Sequence, residues 1–207
     1  MKKLLSLGLT VSVLTALLLT GCAQSSPPAG GANPSPPPGG GEENLVDPDA
    51  TVLSILEAII ADTNAELEDA AKVPPMLFTD QITEDNCESA TGLTKEQFEQ
   101  YVTEGYSAKA AIISVAFELI LVKCENPASA AEVKSLMADG YDPGKWICAC
   151  PRQTFIVDSG SYVFLASTMR LPDGEEAEAM QIEALQQAFG KQFGGKTGSV
   201  NAFYEFQ

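Results

Sequence analysis

Between Val52 and Ile60 the apolar positions recur at helical spacing: Val52, Ile55, Leu56, Ile59 and Ile60 fall on one stripe. Asp47 followed by Pro48 supplies a capping carboxylate and a first-turn proline, which predicts a helix capped at that point. From Thr63 to Thr91 no period survives. Pro74 and Pro75 break the chain and acidic residues surround Cys87, so the segment reads as loop with short helical pieces. Thr94 with Gln97 then makes a capping box for a short helix reaching about Gln100.

Tyr101 to Tyr106 reads as a short strand. From Ala111 to Cys124 the alternation is strong, with Ile113, Val115, Phe117, Leu119 and Leu121 on one face and Ser114, Ala116 and Glu118 on the other. That pattern predicts a sheet with one face covered and the other partly wet. Asn126-Pro127 is a second cap with first-turn proline, and Ala130, Val133, Leu136 and Met137 give a helix ending near Gly140. Trp146 to Val157 and Ser161 to Thr168 read as two strands around Asp158-Ser159-Gly160, a turn in which glycine tolerates positive φ. Pro151 cannot donate to a ladder and marks an edge or a bulge. Asp173 with Glu176 caps a long helix that turns Met180, Leu185, Ala188 and Phe189 inward and stops at Gly190, and Ser199 to Phe206 makes a final strand. The elements add up to an α+β fold, an antiparallel sheet of about four strands with helices packed on one face.

The first 44 residues follow a different logic. Lys2 and Lys3 precede the 16-residue apolar run Leu4 to Leu19, the order of a secretory signal and too short for a helix that spans a bilayer. Leu19-Thr20-Gly21-Cys22 resembles the lipobox of bacterial lipoproteins, in which the cysteine receives a diacylglycerol. The resemblance implies a signal peptide over 1–21, lipid on Cys22 and anchorage at the extracytoplasmic face of a membrane. Each buried CH₂ of an acyl chain adds about 0.8 kcal/mol, so two or three chains anchor durably. Ala23 to Asn44 holds six prolines and five glycines in 22 residues and reads as a tether spanning about 25 to about 65 Å. Leu45 to Gln207 then has the length of one domain.

Charge narrows the partners. Without Lys2 and Lys3 the 12 basic residues become 10 against 28 acidic ones, a formal charge near −18. Such a surface repels nucleic acid and anionic lipid, which bind through clustered Lys and Arg. The chain contains no histidine, which removes Ser-His and Cys-His nucleophile pairs, histidine metal sites and the usual near-neutral base. A carboxylate-based hydrolase remains as the enzyme alternative, although no spacing sets two acids opposite each other. Gly190 to Thr197 matches the P-loop pattern literally, but a helix precedes it and only ten residues follow, so no nucleotide site is expected. Asp47-Pro48-Asp49 and Asp80 to Asp85 lack the ligand alternation of a calcium loop and read as cap and solvated loop. No catalytic, metal or cofactor residue is expected.

The segment Ala111 to Trp146, with Glu132-Val133-Lys134 on its helix and Trp146 at its end, is followed by Gly160-Ser161-Tyr162-Val163-Phe164-Leu165. It resembles the family called domain of unknown function 4358, lipoproteins of Gram-positive anaerobes that join a signal and lipobox to one such domain. The resemblance implies fold and location and transfers no site residue. The expected function is accordingly that of a lipid-anchored, non-catalytic binding or structural module for an extracytoplasmic protein or peptide.

Cys87, Cys124, Cys148 and Cys150 leave three outcomes open: free thiols, one disulfide joining Cys124 or Cys87 to the Cys148/Cys150 pair, or a four-thiolate zinc site. On a strand Cys148 and Cys150 point to one face, which disfavours a bond between them.

Overall fold

The structure, a computed structural model, describes residues 47, 49–146 and 148–205. The signal segment, Leu19, Thr20, Gly21, Cys22 and the tether lie outside the described residues. In chain order the elements are α1 (Val52–Glu66), β1 (Leu77–Gln81), α2 (Cys87–Thr91), α3 (Lys95–Tyr101), β2 (Val102–Ala110), β3 (Glu118–Cys124), α4 (Pro127–Gly140), β4 (Gln153–Ser159), β5 (Tyr162–Thr168), α5 (Glu175–Gln192) and β6 (Asn201–Glu205). The class is α+β, and the six strands form one antiparallel sheet in the order β1, β2, β3, β5, β4, β6. Among the described residues no helix is long and apolar enough to cross a membrane.

Helices cover both faces of this sheet, not one. Leu119 and Leu121 of β3, Phe155 and Val157 of β4 and Phe164 and Ala166 of β5 pack with α1 (Ile55, Leu56, Ile59) and α5 (Leu185, Phe189). The alternate residues Ile120, Val122, Ile156, Val163 and Leu165 pack with α4 (Val133, Met137), with Cys87 of α2 and with Phe98 of α3. The physical reason lies in β3 and β5, where apolar side chains occupy both parities and every residue but Lys123 is buried. Such strands leave no wet face. The predicted count of about four strands covers the central ladder, and β1 and β6 extend it at the two edges.

The capping residues decide the helix ends. Thr94 Oγ1 accepts from Gln97 N at 3.3 Å while Gln97 Oε1 accepts from Thr94 N at 2.9 Å, the expected box at α3. Asn126 Oδ1 accepts from Ser129 N at 2.9 Å at the start of α4. Helix α1, by contrast, is capped by Thr51 Oγ1, which accepts from Ser54 N at 3.1 Å. Asp47 instead closes a separate turn, accepting from Asp49 N and Ala50 N. The cap of α5 is Gly174 at φ +81°, with no side-chain bond, and Glu175, Glu176 and Glu178 place negative charge at the helix's positive end. The helix runs through Gly190 to Gln192, and Gly194 and Gly195 turn the chain at positive φ.

Two strand expectations shift. The strong alternation from Ala111 does not start a strand until Glu118, because β2 runs to Ala110 and residues 111–117 must reverse the chain. Ile112 and Ile113 consequently stand 57% and 78% exposed instead of entering the core. The strand expected from Trp146 begins only at Gln153, and Cys148 to Arg152 run irregularly through Pro151.

Ion pairs fasten the outer elements. Arg152 Nε donates to Glu178 Oε2 at 2.7 Å and ties the entry to β4 to α5. Lys134 Nζ meets Asp158 Oδ1 at 2.7 Å and also donates to the carbonyl of Ser199, so α4, β4 and the approach to β6 share one buried ammonium. The ends of α2 and α4 meet backbone to backbone at Gly92, φ +78°, where a Cβ would stand 2.1 Å from the carbonyl carbon of Gly140. Gly92→Ala combines this overlap with a left-handed backbone and is expected to cost about 3 kcal/mol or more. A shift of the urea midpoint with an unchanged slope checks it.

Candidate functional site

One row of cross-strand neighbours crosses the whole sheet on the α4 face: Phe78, Lys109, Glu118, Ser167, Thr154 and Tyr204. Residues paired in this way share a face. The rows beside it are apolar at the centre, with Ile120, Leu165 and Ile156, so the polar row marks where the core stops. Glu118, expected on a partly wet face, is only 3% exposed. A carboxylate so placed requires a cation and donors.

The loop after α4 supplies them. Lys145 Nζ lies 2.6 Å from Glu118 Oε2 and 4.4 Å from the centre of the Tyr141 ring. The same ammonium reaches the carbonyls of Ser89 and Ala90 at 3.2 and 3.4 Å, so it also binds the loop to α2. Tyr141, the C-cap of α4, donates its hydroxyl to Glu118 Oε2 at 2.9 Å. A hydroxyl carries one proton, so Tyr141 accepts from Ser167 Oγ at 2.9 Å and Ser167 accepts from Thr154 Oγ1 at 2.9 Å. The relay runs Thr154, Ser167, Tyr141, Glu118, with every proton directed at the carboxylate. Burial first, and the neighbouring Glu118 charge second, hold the Tyr141 phenol well above its ordinary value of 10.

A cleft of about 260 Å³ opens over this centre, lined among others by Asp80, Ser107, Lys109, Glu118, Lys145 and Trp146. Its charges are matched, Lys109 with Asp80 at 3.1 Å and Lys145 with Glu118. The Trp146 indole nitrogen is buried without a hydrogen-bond acceptor among the described residues. Larger hollows near Arg152 and Lys134, about 460 and 480 Å³, surround the ion pairs already described.

The cleft adjoins β1, which is the edge of the sheet among the described residues. Bonds from Ala111 N to Met76 O and from Ile82 N to Gly105 O flank β1, so its even-numbered residues bond to β2. The backbone groups of Leu77 and Thr79 therefore face away from the sheet. Asn86 Nδ2 occupies the next outward carbonyl, that of Gln81, at 3.0 Å. Phe78 on this strand and Met76 just before it are 59% and 64% exposed, and the exposed Ile112 and Ile113 extend the apolar surface past its start.

The other residues singled out in the sequence fall elsewhere. The Gly190 to Thr197 match closes α5 and leads through a turn toward β6, without the preceding strand and following helix of a phosphate loop. Asp80 lies in β1 and the residues after it lead into α2. The four cysteines among the described residues are free, Cys87 and Cys124 buried and Cys148 and Cys150 exposed. Burial pushes the Cys124 thiol up to about 12 and raises that of Cys87. Among the described residues no three potential ligands gather as a metal site. No protein-family model, curated protein or solved structure matches the chain.

Sequence reasoning placed no weight on Glu118, Tyr141 or Lys145, whose separations along the chain hide their contact. The one available signal was a lone acid directly before the apolar run Leu119 to Val122. Unfolded tyrosine ionises near pH 10, whereas folded Tyr141 resists ionisation, so its contribution to stability is complete below that pH and declines as pH rises beyond it. Tyr141→Phe is expected to lower neutral stability by about 1 to 2 kcal/mol and to flatten the alkaline decline. Urea midpoints measured from about pH 7 to about pH 11 test both.

Proposed function

We propose that this chain is a lipoprotein held by Cys22 at the extracytoplasmic face of a membrane, and that its folded part is a non-catalytic module that binds an extended protein or peptide segment along β1. The carrying observation is the open edge: outward backbone groups at Leu77 and Thr79, framed by exposed Met76, Phe78, Ile112 and Ile113. Such an edge complements a strand, because main-chain bonds supply register and alternate side chains supply selection. Side chains of an added strand that point to the α4 face would lie toward Phe78 and the cleft, where Lys109, Asp80 and Trp146 offer both charge signs and an aromatic surface. Met76, Phe78, Ile112 and Ile113 expose apolar side chains beside this edge, and exposed apolar patches mark interaction sites.

The membrane part of the reading rests on the lipobox Leu19-Thr20-Gly21-Cys22 behind its apolar run. The resemblance of Ala111 to Trp146 to a lipoprotein family agrees with it. The enzyme alternative, a small histidine-free carboxylate hydrolase, draws on Glu118 in the cleft. Oε2 of that residue already accepts from Lys145 and Tyr141, an arrangement suited to holding the loop.

A photo-crosslinker replacing Phe78 in the native cell is expected to give a discrete protein adduct. Thr79→Pro removes an outward N–H without touching the β2 ladder and is expected to abolish that adduct while leaving the thermal unfolding midpoint within a few degrees. An adduct unchanged by Thr79→Pro refutes strand addition. Separately, Cys22→Ala is expected to lose the lipid mass and leave the membrane fraction, as read by intact mass and fractionation.

A further inference from the structure

The free stretch of the β1 edge is bounded at both ends. Before it stands Pro75, at a bend in the chain and without an N–H to offer. After it the Asn86 side chain bonds the Gln81 carbonyl at 3.0 Å and the Thr83 N–H at 2.8 Å, in the place a neighbouring strand would take. Between these limits lie the outward N–H and C=O of Leu77 and of Thr79. Phe78 and Asp80 on one face and Thr79 and Gln81 on the other are all exposed. Neither helical layer therefore overhangs the edge among the described residues.

We propose, building on strand addition at β1, that the segment received is β1 of a second copy of this chain, joined antiparallel about a two-fold axis at Phe78. The bounded edge selects this register. If Leu77 met the second copy's Leu77, Thr79 would face its Pro75, which cannot donate. If Thr79 met the second copy's Thr79, Leu77 would face Gln81, whose carbonyl Asn86 already holds, and Phe78 would lie against Asp80. With Leu77 opposite the second copy's Thr79, and Thr79 opposite its Leu77, both donors and both acceptors of each copy are used, in four bonds. The two Phe78 side chains then form a directly opposed aromatic pair. Asp80, the only charge in β1, lies against Met76 and keeps Lys109 at 3.1 Å. The two sheets become one, and because each copy spends the same edge the pair is closed. Four bonds make a weak pair in dilute solution, and anchoring both copies in one membrane raises their effective concentration.

Cysteine pairing reads the register in the full chain, with Cys148→Ser and Cys150→Ser to remove the exposed thiols. Residues opposite each other at a non-hydrogen-bonded position have Cα atoms about 4.5 Å apart, within disulfide reach. Phe78→Cys, oxidised in intact membranes, is expected to give a disulfide-linked species of twice the chain mass. Asp80→Cys alone is expected to give none, because its two copies stand four residues out of step, about 14 Å apart. Co-expressed with Met76→Cys, it is expected to form the link. Thr79→Pro added to Phe78→Cys takes away two of the four bonds and is expected to abolish the linked species. No link from Phe78→Cys, or an equal one from Asp80→Cys alone, overturns the proposal. The photo-crosslinker at Phe78 separates this failure from that of strand addition. An adduct that Thr79→Pro abolishes, but that joins Phe78 to a different protein or to the chain's own N-terminal segment, keeps strand addition and overturns the second copy.

Discussion

A negative charge buried at the head of the central strand sets the terms for everything above it. Glu118 begins β3, between Lys109 on one neighbouring strand and Ser167 on the other, and has almost no water. An unpaired carboxylate there would cost several kcal/mol. The chain after α4 is shaped to prevent this: Tyr141 leaves the helix pointing at the carboxylate, and four residues later Lys145 reaches the same oxygen. Because Lys145 also holds two carbonyls of α2, the pair locks a loop that lacks regular structure onto two other elements. Trp146 and the cleft follow from that placement.

Beneath the polar row the packing is conventional in its forces and two-sided in its layout. Phe164 stacks on Phe189 at 5.3 Å and meets Phe155 edge-on at 6.2 Å, which knits β4 and β5 to α5. On the opposite side the close backbone contact of Gly92 with Gly140 lets α2 and α4 lie tightly together. Charged side chains join what apolar contact alone leaves adjustable, as when Lys191 binds Asp62 at 2.7 Å across α5 and α1.

Local signals were legible where a side chain acts on its own backbone. The Thr94/Gln97 box and the Asn126 cap each involve residues three apart, so nothing distant competes. Asp47 misled because Thr51, four residues on, is an equally good cap placed directly before the buried stripe. The alternation from Ile113 to Leu121 had the right parity for Leu119 and Leu121, yet parity does not reveal where a hairpin turns. Burial on both faces was written in the run Leu119 to Val122, where no polar residue interrupts. The strand β1 was hidden because four of its five residues are exposed, which leaves no apolar period to read. The candidate site was hidden for a related reason, since its contacts join β3 to a loop more than twenty residues later.

The two outermost strands differ in a way that bears on assembly. At β6 the pairing is interrupted by a bulge between Thr154 and Phe155, and Glu205 is drawn to Arg152 at 3.4 Å. Bulges and edge charges discourage further pairing. At β1 the ladder is regular and, among the described residues, no strand pairs with its outward groups at Leu77 and Thr79. Fibres grow when a molecule offers two mutually compatible ends, and closed pairs form when it offers one. A sheet extendable on one side alone terminates with whatever it captures, so molecules crowded together have no route to an endless ribbon.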